Sequence, residues 1–176
     1  MQEFSISLSK IINELSLDVL YEYTPSDEIL ITSREINRPG LELTGFLDYF
    51  DKKRIMVMGN TEHAYLAKMS KEQRFDAMDK IFAMNPPAVI IARGIRTYEE
   101  VIETAKMHHV TLLHSPESTS SLVGALVSTL NSELAPRITR HGVFVEVYGE
   151  GILLTGDSGI GKSETAIELV KRGHRL

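Results

Sequence analysis

Apolar positions in the middle of the chain alternate between two spacings. The segments RIMVMG (54–59), AVIIAR (88–93) and VTLLHS (110–115) are short, continuous and rich in β-branched residues. Such runs predict strands buried on both faces, as in parallel sheets. The segments between them carry helical spacing. Asn60 and Ser70 are placed as N-caps for TEHAYLAKM and KEQRFDAMDKIFAM, and Pro86-Pro87 closes the second helix. TYEEVIETAKMHH sets Val101, Ala105 and His108 along one helical face, and STSSLVGALVSTLNSELA is a further amphipathic helix. Strands alternating with helices of this length predict a parallel α/β sheet wrapped on both faces. Ahead of it the pattern predicts a helix around 8–16, strands in LDVLYEY and EILIT, and a turn at Arg38-Pro39-Gly40. Met56, Met58, Met69, Met78, Met84 and Met107 read as core fillers.

The pattern changes near ELAPRITRHG (133–142), where Pro136 stops a helix. Strict alternation follows, with Val143, Val145 and Val147 on one side and Phe144, Glu146 and Tyr148 on the other. Gly149-Glu150-Gly151 then reads as a three-residue turn, and ILLT (152–155) as the returning strand of a β-hairpin. The chain is therefore expected to hold an N-terminal α/β domain over residues 1–134 and the start of a second, truncated domain over 137–176.

Directly after the hairpin, GDSGIGKS (156–163) satisfies the Walker A pattern in full. Glycines at 156, 159 and 161 allow positive φ and let backbone N–H groups close around phosphate oxygens. A helix over 163–172 would aim its free N–H groups and dipole at the same anion, with Gly173 at its C-terminal cap. Lys162 would reach the β- and γ-phosphates, and the Ser163 hydroxyl would ligate Mg²⁺. An ordinary glycine-rich connection is the bland alternative, and the flanking strand and helix weigh against it. The antiparallel strand immediately before the loop points away from small GTPases and adenylate-kinase-like enzymes.

Other chemistry is sparser. A hairpin turn centred on Glu150 sets Tyr148 opposite Ile152 and Val145 opposite Thr155, and carries His141 level with Gly159. His141 thus either positions a phosphate or packs at a strand end, and the residues alone leave both open. His108, His109 and His114 lack metal-ligand spacing, while His63 and His174 read as surface residues. Ala92-Arg93-Gly94 ends a strand where α/β proteins often bind ligands, although a structural role is the simpler reading.

Composition narrows the class. The 176 residues are 43% hydrophobic and 24% charged, with a net charge of −5 and no Cys. This is the profile of a globular protein without disulfides or thiolate metal sites. The acidic balance argues against nucleic acid or an anionic membrane as partner. The N-terminus lacks the basic start of a signal peptide, no apolar run is long enough to span a bilayer, and a cytoplasmic location is expected.

HGVFVEVYGEGILLTGDSGIGKSETAIELVKRGHRL (141–176) closely resembles the start of the catalytic domain of the bacterial HPr kinase/phosphorylase family. INRPGLELTGF, GNTEHAYL, PPAVIIARG and STSSLVGALVSTL resemble that family's N-terminal domain, so the resemblance spans nearly the whole chain. It implies phosphorylation of a seryl hydroxyl on HPr, the phosphocarrier protein of the sugar phosphotransferase system, with ATP or pyrophosphate as donor. It also implies the reverse phosphorolysis, in which inorganic phosphate attacks phosphoseryl-HPr and releases pyrophosphate, a pair of reactions that regulates carbon metabolism. A P-loop domain similar to phosphoenolpyruvate carboxykinase and a homohexamer at full length come with it.

By motif match, Gly156, Asp157, Ser158, Gly159, Ile160, Gly161, Lys162 and Ser163 form the nucleotide loop. Ser163 becomes the Mg²⁺ ligand, and Lys162 and His141 become catalytic residues. In the family an aspartate pair follows GHRL, and a metal-binding glutamate and a catalytic arginine come later, all beyond Leu176. The chain as it stands is thus expected to be inactive. Two rival readings are a regulatory or assembly module without catalysis and a generic P-loop ATPase with another acceptor. The ligand of the N-terminal domain and the effectors of the enzyme are not legible.

Overall fold

The unbroken apolar runs become the inner strands of a sheet. A computed structural model describes residues 4–176, and the chain divides between Ala135 and Pro136 into two compact units. The first unit begins with β1 (Ile6–Ser7), α1 (Leu8–Glu14), β2 (Asp18–Tyr21), β3 (Leu30–Ile31) and β4 (Ile36–Asn37). A short 3₁₀ turn at Glu42–Thr44 leads to β5 (Ile55–Met58), α2 (Asn60–Leu66) and α3 (Lys71–Ala83). Then come β6 (Val89–Ile91), α4 (Glu99–Met107), β7 (Leu112–His114) and α5 (Thr119–Glu133).

Five strands form one sheet in the order β2-β7-β6-β5-β4. β4 to β7 are parallel, with Met56 beside Val89 and Val89 beside Leu112. Alternate residues therefore feed two cores. Ile55, Val57, Ile90 and Leu113 pack with Leu8 and Ile11 of α1 and with Leu122, Leu126 and Leu130 of α5. Met56, Met58, Val89, Ile91 and Leu112 pack with Leu66, Met78, Ile81, Phe82, Val101 and Ala105 of the opposite helix layer. Every residue of β5 and β6 is buried, which is why their sequences show no polar alternation.

The structure corrects several details of the sequence reading. The sheet is mixed, because β2 runs antiparallel on the β7 edge with an irregularity between Val19 and Tyr21. EILIT does not join it: β3 pairs with β1 in a separate two-stranded ribbon, Ile6 opposite Ile31. Asn60 is the first residue of α2 and Gly59 is its cap, because the Glu62 carboxylate accepts the Gly59 N–H at 2.8 Å. Ser70 does cap α3, in a reciprocal pair with Gln73. Met107 is 52% exposed and fills no core, since it lies at the last turn of α4.

Two polar arrangements fix the helical layer, one tying α2 to the end of β4 and the other tying α3 to α4. Glu62 is buried and accepts two bonds from Arg38, at 2.8 and 3.1 Å. Arg74 donates to Glu100 at 3.1 Å and to the Met69 carbonyl at 2.8 Å, and its guanidinium lies 4.5 Å from the Tyr98 ring centroid. The Arg74 hydrogen bond holds the Glu100 carboxyl below its ordinary range, against the opposing effect of burial.

Gly59 illustrates the packing tolerance at the strand ends. A Cβ there would lie 2.3 Å from Thr119 Oγ1 and 3.2 Å from Thr119 Cβ, at the start of α5. Gly59→Ala is expected to destabilise the unit by about 1–3 kcal/mol through overpacking. Adding Thr119→Ala should recover most of the loss. Urea denaturation of the three variants checks this, and an unrelieved loss would place the cost elsewhere.

Candidate functional site

The second unit starts from the alternating segment. β8 (Gly142–Val147) and β9 (Glu150–Thr155) form an antiparallel hairpin, and α6 (Lys162–Lys171) follows the glycine loop. Val145 and Ala166 are the unit's buried residues. Val145 belongs to the strand face carrying Val143 and Val147, while Phe144 on the other face is 59% exposed.

The turn differs from the expected one, with consequences for the site. Val147 pairs with Glu150, so the loop is two residues, Tyr148 and Gly149, with φ of 53° and 85°. Two consecutive positive φ values are the signature of a type I′ turn, whose twist suits a hairpin. Tyr148 therefore faces no strand residue, and Val145 lies opposite Ile152 instead of Thr155. Gly142 pairs with Thr155, and one further step of the same register sets His141 level with Gly156 instead of Gly159. The sequence reading missed this because Tyr148 is an uncommon residue for a left-handed position. His141 is exposed at the foot of β8.

The loop leaves β9 through Gly156, with φ of 150°, and passes Gly159 and Gly161 at 83° and 94°. All three conformations favour residues without a Cβ. Asp157, Ser158, Gly159 and Ile160 are exposed. α6 begins at Lys162, one residue earlier than expected, and Gly161 offers no side-chain cap. The first-turn N–H groups of a helix have no partners within it, and here they follow directly on the loop.

Lys162 folds back and donates to the carbonyls of Gly156 at 2.7 Å and Asp157 at 2.6 Å. Its ammonium is thereby fixed against the start of the turn that the glycines make. Ser163 is exposed on the first turn of α6. Thr165 was not singled out in the sequence. Its hydroxyl donates to the Gly161 carbonyl at 2.9 Å and secures the junction of loop and helix. A Thr four residues after the last loop glycine is the available signal, since hydroxyls commonly bond the carbonyl four residues back.

The far end of α6 is closed by Gly173, with φ of 94°. The Gly173 N–H bonds the Val170 carbonyl at 2.9 Å and the His174 N–H bonds the Leu169 carbonyl at 3.1 Å. These two bonds make a Schellman ending. It turns the chain back along β8, where Glu146 N–H donates to the Arg175 carbonyl at 2.8 Å and Arg175 N–H to the Glu146 carbonyl at 3.2 Å. His174 meets the Tyr148 ring edge-on at 4.9 Å.

The remaining histidines converge on no site. His108 bonds Asp79 at 2.7 Å, His114 lies 3.5 Å from Asp18, and His109 stacks on Tyr23 at 3.8 Å. Burial pushes the His63 pKa down as its ring stacks on Tyr98. Among the described residues no three His, Cys, Asp or Glu side chains are grouped as metal ligands, and no helix is long and apolar enough to cross a membrane. Arg93 and Gly94 both have positive φ, and their N–H groups bond the Glu117 and Ser115 carbonyls at 2.8 and 2.9 Å. That makes the Ala92–Gly94 segment a rigid connection.

The chain carries a glycine loop of the Walker A pattern between a hairpin and a helix, in addition to an α/β unit, and comparison with known proteins shows its family. Residues 6–130 match the family described as HPr Serine kinase N terminus, and residues 132–176 the HPr Serine kinase C-terminal domain. The chain belongs to the HPr serine kinase family. It is 48% identical over 173 residues to the HPr kinase/phosphorylase of Caldicellulosiruptor bescii, covering 98% of this chain and 56% of that protein. The HPr kinase/phosphorylase of Lachnoclostridium phytofermentans is 44% identical over 173 residues, with the same coverage. That of Streptococcus thermophilus is 45% identical over 175 residues, again 98% of this chain and 56% of the relative. The chain thus spans about half the length of the curated relatives it matches.

Among solved structures, the CBS and DRTGG domains of the regulatory region of Clostridium perfringens pyrophosphatase, complexed with diadenosine tetraphosphate, share the fold. The TM-score is 0.51 at 14% identity, over 73% of this chain and 50% of that one.

The return of Arg175 to β8 makes a testable claim. Deleting residues 174–176 should raise the hydrogen-exchange rate of the Glu146 amide about tenfold or more, with the β8–β9 ladder unchanged. Unaltered protection at Glu146 would mean that the Arg175 pairing contributes nothing to order in this unit.

Proposed function

We propose that this chain supplies the nucleotide-phosphate half of an enzyme that phosphorylates a seryl hydroxyl on the phosphocarrier protein HPr, using ATP or pyrophosphate, and that runs the reverse phosphorolysis. The observation that carries the reading is the Lys162 ammonium held across Gly156 and Asp157 at the mouth of a helix-initiating glycine loop. It is supported by membership of a family whose matched relatives are named HPr kinase/phosphorylase.

In this reading the backbone N–H groups of 158–163 bind the β-phosphate region, where helix dipole and loop amides favour negative charge. Lys162 neutralises charge on the phosphates, exchanging its carbonyl partners for anionic oxygens, a stronger type of hydrogen bond. The Ser163 hydroxyl is a hard oxygen donor that fits Mg²⁺ held mainly by phosphate oxygens and water. Such a metal, when bound, would offset the negative charge of the phosphates, with Ser163 as the residue of this chain that would help hold it. His141, one register step from the Gly142–Thr155 pair, orients inorganic phosphate for attack on the phosphoseryl group. Acceptance of the seryl proton falls to a residue in the further length of the relatives. The phosphoenolpyruvate carboxykinase-like architecture, a hexamer and a cytoplasmic location belong to the same proposal.

Two expectations follow for a chain extended to the relatives' length. Lys162→Ala should reduce both kinase and phosphorolysis rates by at least about a hundredfold, since both directions place anions in one loop. The assay is ATP-dependent phosphorylation of HPr with Mg²⁺, paired with phosphate-dependent release of pyrophosphate. Near-normal phosphorolysis would put phosphate elsewhere, and phosphorylation of other acceptors with none of HPr would favour the generic ATPase. His141→Ala should lower phosphorolysis turnover while changing stability by less than about 0.5 kcal/mol, because the residue is exposed. Unchanged turnover would leave His141 a strand-end residue only. The 176-residue chain itself should show no turnover in the first assay.

A further inference from the structure

A cavity of about 400 Å³ opens in the first unit beside the connection from β6 to α4. Its wall is built by Arg96, Thr97 and Tyr98 of that connection, by His63 of α2, and by Lys71 and Arg74 from the first turn of α3. The connection leaves the carboxyl end of a parallel strand, where α/β sheets place ligands.

Four features of the cavity point the same way. Arg74 is committed to Glu100, whereas Arg96 is exposed and makes no ion pair or hydrogen bond among the described residues. Lys71 is exposed and makes no close ion pair among them, its charge acting at longer range on Glu72 and Glu100. Three cations stand in the lining against two carboxylates, Glu99 and Glu100. Thr97 has its Oγ1 buried without a hydrogen-bond partner, an orphan polar atom in the same wall. The stacked rings of His63 and Tyr98, 4.6 Å apart, give that wall a flat apolar side. A neighbouring cavity of about 450 Å³ is acidic, lined by Asp76 and Glu103 among others, so extended polyanions are disfavoured.

We propose that this cavity is a binding site for a compact anion bearing a phosphate or carboxylate group, held by Arg96 and Lys71 against the Tyr98–His63 wall. Nothing in the phosphoryl-transfer reading uses these residues, and the site lies in the other compact unit from the glycine loop. It gives the first unit a ligand-binding task of its own. Guanidinium and ammonium serve different parts of the job, with Arg96 forming paired bonds to the planar or tetrahedral anion and Lys71 acting as a point charge.

The test is nuclear magnetic resonance on the ¹⁵N-labelled 176-residue chain at constant ionic strength, titrated with inorganic phosphate in one arm and acetate in the other. Saturable shifts are expected at the Thr97, Tyr98 and Glu99 amides, and the arm giving them at lower concentration identifies the anion class. Arg96→Ala and, separately, Lys71→Ala should raise the midpoint about tenfold, the loss of one charge-assisted bond. Both residues are exposed, so the variants keep the fold, which the unperturbed spectrum of residues 4–135 verifies. Lys162→Ala should leave these shifts in place, which separates this site from the glycine loop. Shifts confined to 156–163, shifts that never saturate, or midpoints unmoved in both first-unit variants would overturn the proposal.

Discussion

Burial of the central strands on both faces is the constraint from which the first unit follows. β5 and β6 have no residue with a polar side chain, so helices must cover the sheet above and below. α1 and α5 take one face, α2, α3 and α4 the other. That requirement brings Gly59 against Thr119 and leaves two buried carboxylates in the helical layer, Glu62 paired with Arg38 beside β4 and Glu100 of α4 paired with Arg74 of α3. The connection that leaves β6 carries the cavity around Arg96. Close packing and charge are therefore concentrated in the same connections, which is where loops on a rigid sheet can specialise.

The second unit is organised around a loop instead of a core. Its buried side chains are Val145 and Ala166, while Phe144, Ile152, Leu153, Ile167 and Val170 remain exposed. A lone hairpin with one helix has little apolar burial to stabilise it. Order comes instead from local backbone devices: the two-residue turn, the Schellman ending of α6 and the return of Arg175 to β8. Lys162 adds a further restraint by drawing the Gly156 and Asp157 carbonyls toward one ammonium. In the proposed function a phosphate would compete for that ammonium, so this internal contact would both shape the loop and be exchanged on binding.

Periodicity and motif were sufficient for the central strands, the helices and the family, although the two-residue strands β1 and β4 were not legible. Contiguous apolar runs specify doubly buried strands, and a glycine-rich run before a Lys-Ser pair specifies a tight loop opening a helix, because in both cases the physics is local to a few neighbouring residues. Ser70 and Gly173 were legible as caps for the same reason.

Tertiary structure decided what depends on distant partners. β2 runs antiparallel, and β3 leaves the main sheet for β1, because strand neighbours are chosen by packing that no single segment encodes. The hairpin register moved because Tyr148 accepts a left-handed conformation that its residue type does not advertise, and His141 moved with it from Gly159 to Gly156. Met107 looked like core by composition and proved exposed, since the end of α4 carries it beyond the cover of its neighbours. The gathering of Lys71, Arg96, Thr97 and Tyr98 around one cavity was invisible for the same reason. Those residues are scattered between 71 and 98, and only the crossover from β5 to β6 through α3, and the connection that then leaves β6, bring them together.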